Sequence, residues 1–349
     1  MDVEIEKVVG NYPNDILQSI WSESHPRIDT EKRIEWAYQE NICGKAQMWL
    51  LKNKTAGEYF GSSALLPRHF FINRKKMTGA LIADTGVKTR YRALGPALKL
   101  HKEIIKSSKD FGLIMAFPNK VAQAVIKMVG FKETKGLVKY VKIMKSRIAI
   151  ENKIKKPLVF KLLFPFFLIV DFGLRLLDFR IFSVKKFTGC HIETFDKRFD
   201  EAWEIFRRKF DFIIDRSSNY LNWRYKKNPN KLYSIYIVSD QDSLNLLGYI
   251  IYCIEDNSVV VYDFIWLQES FKLDNLLSLF IKDIRKKDVK TISFRFMENS
   301  FFQKTFKRMG FFKMKYTLPL SYFSSDESTN EIFLHLNKKS FITAGDCDF

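Results

Sequence analysis

Two parts of the chain carry the same succession of apolar runs and helical patterns. Short apolar runs are typical of strands, and apolar residues spaced three and four apart are typical of helices. In the first part these patterns predict strands over residues 46–52, 59–66, 80–87 and 112–117, and helices over residues 14–40, 92–105 and 119–129. In the second part they predict strands over residues 232–238, 247–254, 259–267 and 290–296, and helices over residues 199–210, 273–286 and 299–309. Each part therefore predicts a mixed α/β unit in which a helix follows directly from a strand.

The two parts also share short signatures at a fixed separation. The spacing Trp-x-Tyr-x-x-Asn begins at Trp36 and again at Trp223, which is 187 residues later. An asparagine followed by a Gly-Phe pair begins at Asn119 and again at Asn299, which is 180 residues later. A constant internal separation indicates two copies of one domain. The seven-residue difference falls around residues 67–76, where we expect the first copy to have a longer loop.

The segment between the copies, residues 157–182, is apolar and has basic flanks. Its longest uncharged run, residues 162–170, is too short to span a bilayer. On a helix, four of its five charged side chains form one narrow stripe: Lys161, Asp171, Arg175 and Asp178. Two interpretations remain open. The helix lies in the plane of an anionic membrane surface, or it buries its apolar face between the two copies.

Composition narrows the class of protein. The chain has 349 residues, which suits two domains, and a net charge of +19. This charge is compatible with nucleic acid, an anionic membrane surface or a polyanionic ligand, but no nucleic-acid-binding motif is present. A lysine-rich solvated surface is the remaining explanation.

The cysteines and the amino-terminal residues restrict the chemistry and the location. The four cysteines are far apart and indicate neither a metal site nor a disulfide framework: Cys43, Cys190, Cys253 and Cys347. The first residues are acidic and lack the apolar core of a signal peptide. We expect a cytoplasmic protein, peripheral at the inner face of the membrane if residues 157–182 contact lipid.

One strand-to-helix turn of the first copy has the chemistry of a phosphate site. Several backbone N–H groups are unpaired where a helix begins, and they suit a pyrophosphate. Gly95 lets the backbone approach the phosphate oxygens, and Ala97 is small for the same reason. Pro96 is acceptable in a first helical turn, and Arg90 and Arg92 add positive charge. The predicted binding segment comprises Val87, Arg90, Arg92, Ala93, Leu94, Gly95, Pro96 and Ala97.

This segment resembles the acyl-CoA loop of the GNAT acetyltransferase superfamily, whose pattern is roughly V-x-P-x-Y-R-G-x-G-x-G/A. The valine, the Tyr-Arg pair, the second glycine and the final small residue match at Val87, Tyr91, Arg92, Gly95 and Ala97. The following N-x-x-A and Gly-Phe motifs match at residues 119–122 and 130–131. The resemblance implies that acyl-CoA binds here and that Asn119 and its helix lie against the pantetheine arm.

The resemblance covers residues 15–135 well and residues 199–315 as a degenerate copy, in which Asn275 and Leu277 replace the small residues of the loop. Thr89 and Ala93 stand where the family has proline and its first glycine. Ile126 stands where many members place a tyrosine that protonates the leaving thiolate, so this general acid is absent or is supplied elsewhere. Tandem chains of this kind resemble transferases that act on cell-envelope polymers, including the Fem-type enzymes.

Candidates for the catalytic base each have a structural alternative. Asp84 lies on the strand before the loop, and its alternative is pairing with a nearby cation. His69 lies in the expected longer loop, where a surface histidine is the alternative. Glu58 is a weaker third candidate, and His101 on the following helix is interpreted as structural. A cluster of aromatic and basic residues in the second copy would bind a sugar or a phosphate, or belong to the protein core: Arg216, Trp223, Arg224 and Tyr225.

We therefore expect an α/β protein, with an α+β mixed sheet, built from two tandem GNAT-like domains of which the second is degenerate. Residues 1–150 form the acyl-CoA-binding domain, residues 151–190 a linker helix, residues 191–325 the degenerate domain and residues 326–349 a polar, loosely held tail.

The expected function is direct transfer of an acyl group from acetyl-CoA, or another acyl-CoA, to an amine without a metal. The acceptor is an amino sugar or a cell-envelope or polysaccharide precursor, either a small molecule or lipid-linked. Two alternatives remain. One is a Fem-like transferase that uses aminoacyl-tRNA, and the other is a non-catalytic, membrane-associated binding protein on a GNAT scaffold.

Overall fold

A computed structural model describes residues 2–92, 94–147, 162–179, 187–241, 245–267, 271–324 and 339–347. The strands are β1 (Val3–Val8), β2 (Gln47–Asn53), β3 (Glu58–Ile72), β4 (Lys75–Val87), β5 (Ile114–Ala116), β6 (Lys132–Ile143), β7 (Phe187–Ile192), β8 (Phe212–Ile214), β9 (Ser234–Asp240), β10 (Leu246–Glu255), β11 (Ser258–Trp266), β12 (Thr291–Met297), β13 (Phe312–Phe323) and β14 (Ser340–Phe341). The α-helices are α1 (Asn14–Ser24), α2 (Thr30–Arg33), α3 (Leu94–Lys106), α4 (Lys120–Met128), α5 (Phe164–Phe179), α6 (Lys197–Phe206), α7 (Ser218–Leu221), α8 (Leu273–Ile284) and α9 (Ser300–Arg308).

Across the described ranges, the fourteen strands form one mixed sheet. Its order is β1-β2-β3-β4-β5-β13-β6-β12-β11-β10-β9-β7, and β8 joins β3 to β14. The pairs β4–β5, β11–β12 and β8–β14 are parallel and the others are antiparallel. The two repeats have the same succession of strands and helices, to which the second adds β8 and β14. The predicted mixed α/β fold with two tandem units is therefore confirmed.

The two repeats exchange their last strands. The strand β6 of the first repeat pairs with β12 of the second, from Leu137 opposite Met297 to Ile143 opposite Thr291. The strand β13 of the second repeat lies between β5 and β6 of the first. Neither repeat therefore completes its sheet alone. The predicted boundary at residue 150 lies outside the described residues, and the one at residue 191 falls within β7, a strand of the second repeat.

The repeated tryptophans lie at the centre of the contact between the repeats. Each tryptophan lies in a π-helical turn, Ile34–Gln39 in the first repeat and Asn222–Lys226 in the second. The Nε1 of Trp36 donates to the backbone oxygen of Trp223 at 2.8 Å, and the Nε1 of Trp223 donates to the backbone oxygen of Trp36 at 3.0 Å. The two rings stack with centroids 5.4 Å apart. The aromatic and basic cluster around Trp223 is therefore part of the core.

Residues 340–347 of the carboxyl-terminal segment are buried, so the expectation of a loosely held tail is wrong for them. Phe341 and Cys347 are fully buried. The buried guanidinium of Arg216 bonds to Asp346 at 2.7 Å, and that of Arg224 donates to the backbone oxygen of Gly345 at 3.0 Å. Buried arginines require such acceptors, and this segment supplies them. Residues 326–338 and 348–349 lie outside the described residues.

The seven additional residues of the first repeat form strand rather than the expected loop. They lengthen the hairpin of β3 and β4, which turns at Asn73 and Arg74, both with positive φ. The far end of β3 pairs with β8 of the second repeat. His69 is on this strand, and its Nδ1 lies 3.6 Å from the carboxylate of Asp215. The insertion thus forms a second contact between the repeats.

We expect this contact to weaken with rising pH. The carboxylate of Asp215, followed by the thiol of Cys43, raises the pKa of His69 to about 9. A raised pKa means that the contribution to stability is complete below the unfolded pKa near 6.5 and is lost as pH approaches 9. The free energy of unfolding of the unmodified protein, minus that of His69→Gln, should fall by about 3 kcal/mol at most across this window. Urea titrations at pH 6 and pH 9.5 measure it, and an unchanged difference would contradict the pairing.

Candidate active site

A groove opens in the first repeat where two parallel strands separate. The strands β4 and β5 pair only at Ala80 with Ile114 and at Leu81 with Met115. Beyond these pairs β4 contains a bulge, and Asp84 within it has a φ of +48°. The bulge increases the local bend of β4, and β5 itself ends at Ala116, so the residues of β4 after the bulge do not pair with β5. A groove of about 670 Å³ lies against this end.

The predicted phosphate loop forms one end of the groove. Val87, Arg92 and Ala97 all line it. The helix α3 begins at Leu94, and a Cβ built on Gly95 would meet nothing within 4 Å, so the first turn faces open space. Pro96 lies in the same turn, where its missing N–H removes no helical bond. The predicted strand, loop and helix start are thus in place, and Ala93 lies outside the described residues.

The two arginines of the loop have different positions. The Nε of Arg92 donates to the backbone oxygen of Val87 at 3.0 Å, which folds the side chain over the groove. Arg90 instead pairs with the carboxylate of Glu58, which also accepts from Lys88 at 3.0 Å and from the hydroxyl of Tyr91 at 2.9 Å. Arg90 therefore anchors the loop to β3 and is not at the groove.

Glu58 is consequently unsuited to the role of a base. Its hydrogen bonds from Arg90, then Lys88 and Tyr91, lower its pKa to about 2. A carboxylate with so low a pKa is a weak proton acceptor at neutral pH. Glu58 serves to hold the residues before α3 in the conformation that the groove requires.

Asn119 lines the groove and also caps a helix. Its side-chain oxygen accepts from the backbone N–H of Val121 at 3.1 Å and of Ala122 at 2.9 Å, at the start of α4. The equivalent Asn299 caps α9 through the N–H of Phe302 at 2.9 Å. Capping thus explains why the asparagine recurs in both repeats. A contact of Asn119 with a pantetheine arm stays a prediction.

Asp84 pairs with a nearby cation, which is the structural alternative to a role as catalytic base. One oxygen of its buried carboxylate accepts two bonds from the guanidinium of Arg33, each at 3.1 Å, and one from the hydroxyl of Tyr38 at 2.6 Å. The side chain of Arg33 is itself only 3 % exposed. The pair joins the bulge of β4 to α2. The structure therefore assigns Asp84 to the fold and gives no support to its role as a base.

His69, the other predicted base, is remote from the groove. Gly61 lies opposite Val87 at the groove end of β3, whereas His69 lies opposite Thr78, eight residues further along the strand. Eight residues of strand span about 26 Å. The prediction of His69 as a catalytic residue of this site is therefore wrong, because the insertion that carries it extends toward the second repeat.

Two other residues of the groove region have apolar surroundings. His101 is buried, its ring nitrogen lies 2.9 Å from the backbone oxygen of Ala97, and burial lowers its pKa. Its interpretation as a structural residue agrees with these contacts. Ile126, at the position of the family's tyrosine, is buried in the core of the first repeat with Leu100 and Phe131. This position of α4 supplies no acid.

His25 is a groove residue that the sequence patterns did not reveal. The helix predicted over residues 14–40 is interrupted, because α1 ends at Ser24 and α2 begins at Thr30. His25 follows α1 and lines the groove, and its Nε2 lies 3.7 Å from the point that a Cβ on Gly86 would occupy. It also borders a second depression of about 500 Å³ that contains Asp29 and Glu31. The available signal was Pro26, which disfavours helix at the residue before it.

The comparisons with known proteins concern the fold. No protein-family model and no curated protein sequence matches the chain. A probable N-acyltransferase from Enterococcus faecalis superimposes with a TM-score of 0.64 at 11 % identity, over 93 % of this chain and 73 % of the other. A GCN5-related N-acetyltransferase from Anabaena variabilis gives a TM-score of 0.61 at 13 % identity, over 93 % and 74 %. A tandem GNAT protein of the clavulanic acid pathway gives 0.55 at 11 % identity, over 93 % and 99 %.

These similarities and the strand order define the class of fold. The chain has the GNAT fold of the N-acetyltransferases. More particularly, it has the tandem form, in which two GNAT-like units follow one another in one chain.

The role of Asp84 in the fold leads to a prediction about stability. Asp84→Asn removes the charge opposite a buried guanidinium, and loss of one partner of a buried ion pair costs about 3 kcal/mol or more. The free energy of unfolding, measured by urea titration, should fall by this amount. The matched control Asp29→Asn affects a carboxylate whose partner Lys32 is exposed, and it should change stability by less than about 1 kcal/mol. Equal effects of the two substitutions would contradict the assignment.

Proposed function

We propose that the protein transfers an acyl group from acyl-CoA to an amine in the groove of the first repeat. The observation that carries this proposal is the open first turn of α3 at Gly95, which adjoins a groove leading to the separated end of β4. Unpaired N–H groups at a helix start bind phosphate oxygens, and the groove beyond has room for an extended arm. A yeast N-myristoyltransferase of similar fold, solved with myristoyl-CoA, gives a TM-score of 0.54 at 11 % identity over 91 % of this chain.

In the described part of the second repeat, side chains occupy the space that corresponds to the groove. Asn275 and Leu277 occupy the positions of Gly95 and Ala97, and the side chain of Leu277 is fully buried. Leu276 and Phe271 pack beside Gly248, where a Cβ would lie 3.4 Å from each. Side chains thus fill the volume next to the helix start. The proposed stoichiometry is one acyl-CoA per chain.

The proposed reaction is direct attack of the amine on the thioester. The amine nitrogen forms a bond to the carbonyl carbon, the carbon–sulfur bond breaks, and CoA leaves as a thiolate. Backbone N–H groups near Val87, at the end of β4 that has left β5, stabilise the oxygen that becomes negative. His25 takes one proton from the substrate ammonium, which leaves a neutral amine to attack. The nitrogen loses a second proton to water as the amide forms, and His25 passes its proton to the sulfur, for which Ile126 offers no hydroxyl donor.

The acceptor approaches from the depression beside His25. Asp29 and Glu31 border this depression, and two carboxylates favour a cationic ammonium group. An amino sugar, or an amine-bearing precursor of the cell envelope or of a polysaccharide, fits this chemistry. A fungal protein region of similar fold, with a TM-score of 0.54 at 11 % identity over 92 % of this chain and 38 % of the other, is described as a glucosamine N-acetyltransferase. Glucosamine is therefore the first probe amine.

Binding of acetyl-CoA tests the proposal directly. Titration calorimetry should give one site per chain in the unmodified protein. Gly95→Glu should abolish binding, because a carboxylate would stand against the pyrophosphate, while the fold stays intact because a Cβ there meets open space. Asn275→Glu places the same side chain at the equivalent position of the second repeat and should leave binding unchanged. Two sites per chain, or unaltered affinity in Gly95→Glu, would refute the proposal.

The role of His25 is tested by kinetics. With acetyl-CoA and glucosamine, His25→Gln should reduce the rate of thiol release about a hundredfold or more. The dissociation constant of acetyl-CoA should not change, because the proposed role of His25 is proton transfer and not cofactor binding. His191→Gln, on β7 of the second repeat, is the matched control and should retain the full rate. Loss of acetyl-CoA binding in His25→Gln would instead assign His25 to cofactor binding.

A further inference from the structure

The connecting helix α5 exposes large apolar side chains and buries a charged one, which reverses the usual arrangement of a surface helix. Its two aspartates face the protein: Asp178 is 3 % exposed and pairs with Lys142 at 2.8 Å and with Arg285 at 2.7 Å. Asp171 accepts the backbone N–H of Ser146 at 2.7 Å. A surface helix normally buries its apolar stripe and exposes its charges. Here buried ion pairs hold the helix in place.

The opposite face of α5 presents large apolar side chains to solvent. Their exposed fractions run from 42 % to 69 %: Phe164, Phe166, Leu168, Ile169, Phe172 and Leu176. Phe167, by contrast, is buried. The interpretation in which this helix buries its apolar face between the repeats is therefore wrong. A contiguous exposed apolar patch of this kind marks an interaction surface.

We propose that this face of α5 inserts into the surface of an anionic lipid bilayer. Charge complementarity selects this occupant. Arg147 lies over the ring of Phe164 at 5.3 Å, and Arg175 is exposed on the helix itself. The sequence on either side adds five lysines: Lys153, Lys155, Lys156, Lys185 and Lys186. Basic residues beside an apolar helix face attract anionic headgroups while the apolar side chains enter the acyl region.

The geometry places the helix in the plane of the membrane. The sixteen residues of α5 are about 24 Å long. Among the helices in the described ranges, none combines the length and apolar character needed to cross a bilayer. The buried pairs of Asp178 attach α5 to β6 and to the end of α8, so the apolar face is preformed and little ordering accompanies binding.

Vesicle flotation of the full chain tests this proposal. The unmodified protein should float with vesicles of phosphatidylcholine and phosphatidylglycerol, and much less with phosphatidylcholine alone. Phe166→Asp combined with Phe172→Asp should lower the partition coefficient at least about tenfold, because two exposed rings no longer enter the acyl region. The matched control combines Ile205→Asp with Leu232→Asp, which are exposed apolar residues away from α5, and should float like the unmodified protein.

The flotation results distinguish lipid binding from the alternatives. Thermal melting should show that both double variants remain folded, because the substituted side chains are exposed. Equal flotation of all three proteins, or no flotation of the unmodified protein, would overturn the proposal. A concentration-dependent dimer that the Phe166/Phe172 variant loses, without any lipid binding, would show that the face binds a second copy of the chain. High salt should weaken flotation, as expected for attraction to anionic headgroups.

Discussion

The structure depends on the paired hydrogen bonds between Trp36 and Trp223. Each indole N–H bonds to the backbone carbonyl of the other tryptophan, so each repeat satisfies a buried donor and a buried acceptor of its partner. A buried carbonyl or indole N–H without its partner costs free energy. Because both hydrogen bonds can form together only in one relative arrangement, they fix the orientation of the two repeats. The exchange of β6 and β13 and the pairing of β3 with β8 both require that orientation. The repeats consequently form one body with a single continuous sheet.

The two repeats are similar in their elements but differ at the turn that precedes α3 in the first and α8 in the second. In the first, the bulge at Asp84 bends β4, Glu58 fixes the loop, and Gly95 leaves the start of α3 uncovered. In the second, leucine and phenylalanine side chains occupy the corresponding volume. The same elements therefore give an open groove in one copy and a filled core in the other. A few side-chain volumes, rather than a different topology, account for this asymmetry.

The sequence predicted those features that local pattern and repeat spacing determine. These include β2–β5 and β9–β12 with the helices between them, and the strand–loop–helix start that follows Val87. The strands β1, β6, β7, β8, β13 and β14 were not predicted, and the cluster around Trp223 was left open between a binding site and a core. It did not predict the exchange of β6 and β13, because strand pairing between distant segments leaves no local signal. The burial of residues 340–347 was missed for a related reason: their partners Arg216 and Arg224 are more than a hundred residues away. For α5, periodicity gave two faces but did not state which one meets the protein.

The exchange of strands has a consequence for synthesis of the chain. The strand β5, from which the groove opens, pairs on one side with β13, and β13 ends only at Phe323. On a ribosome that adds about 5–20 residues per second, the first repeat therefore waits on the order of ten seconds for its neighbouring strand. During this interval one edge of β5 lacks its final partner, and unpaired strand edges invite association with other chains. The order of residues suggests two domains that fold one after the other. During synthesis, however, the sheet of the amino-terminal half is completed only when the carboxyl-terminal half has been made.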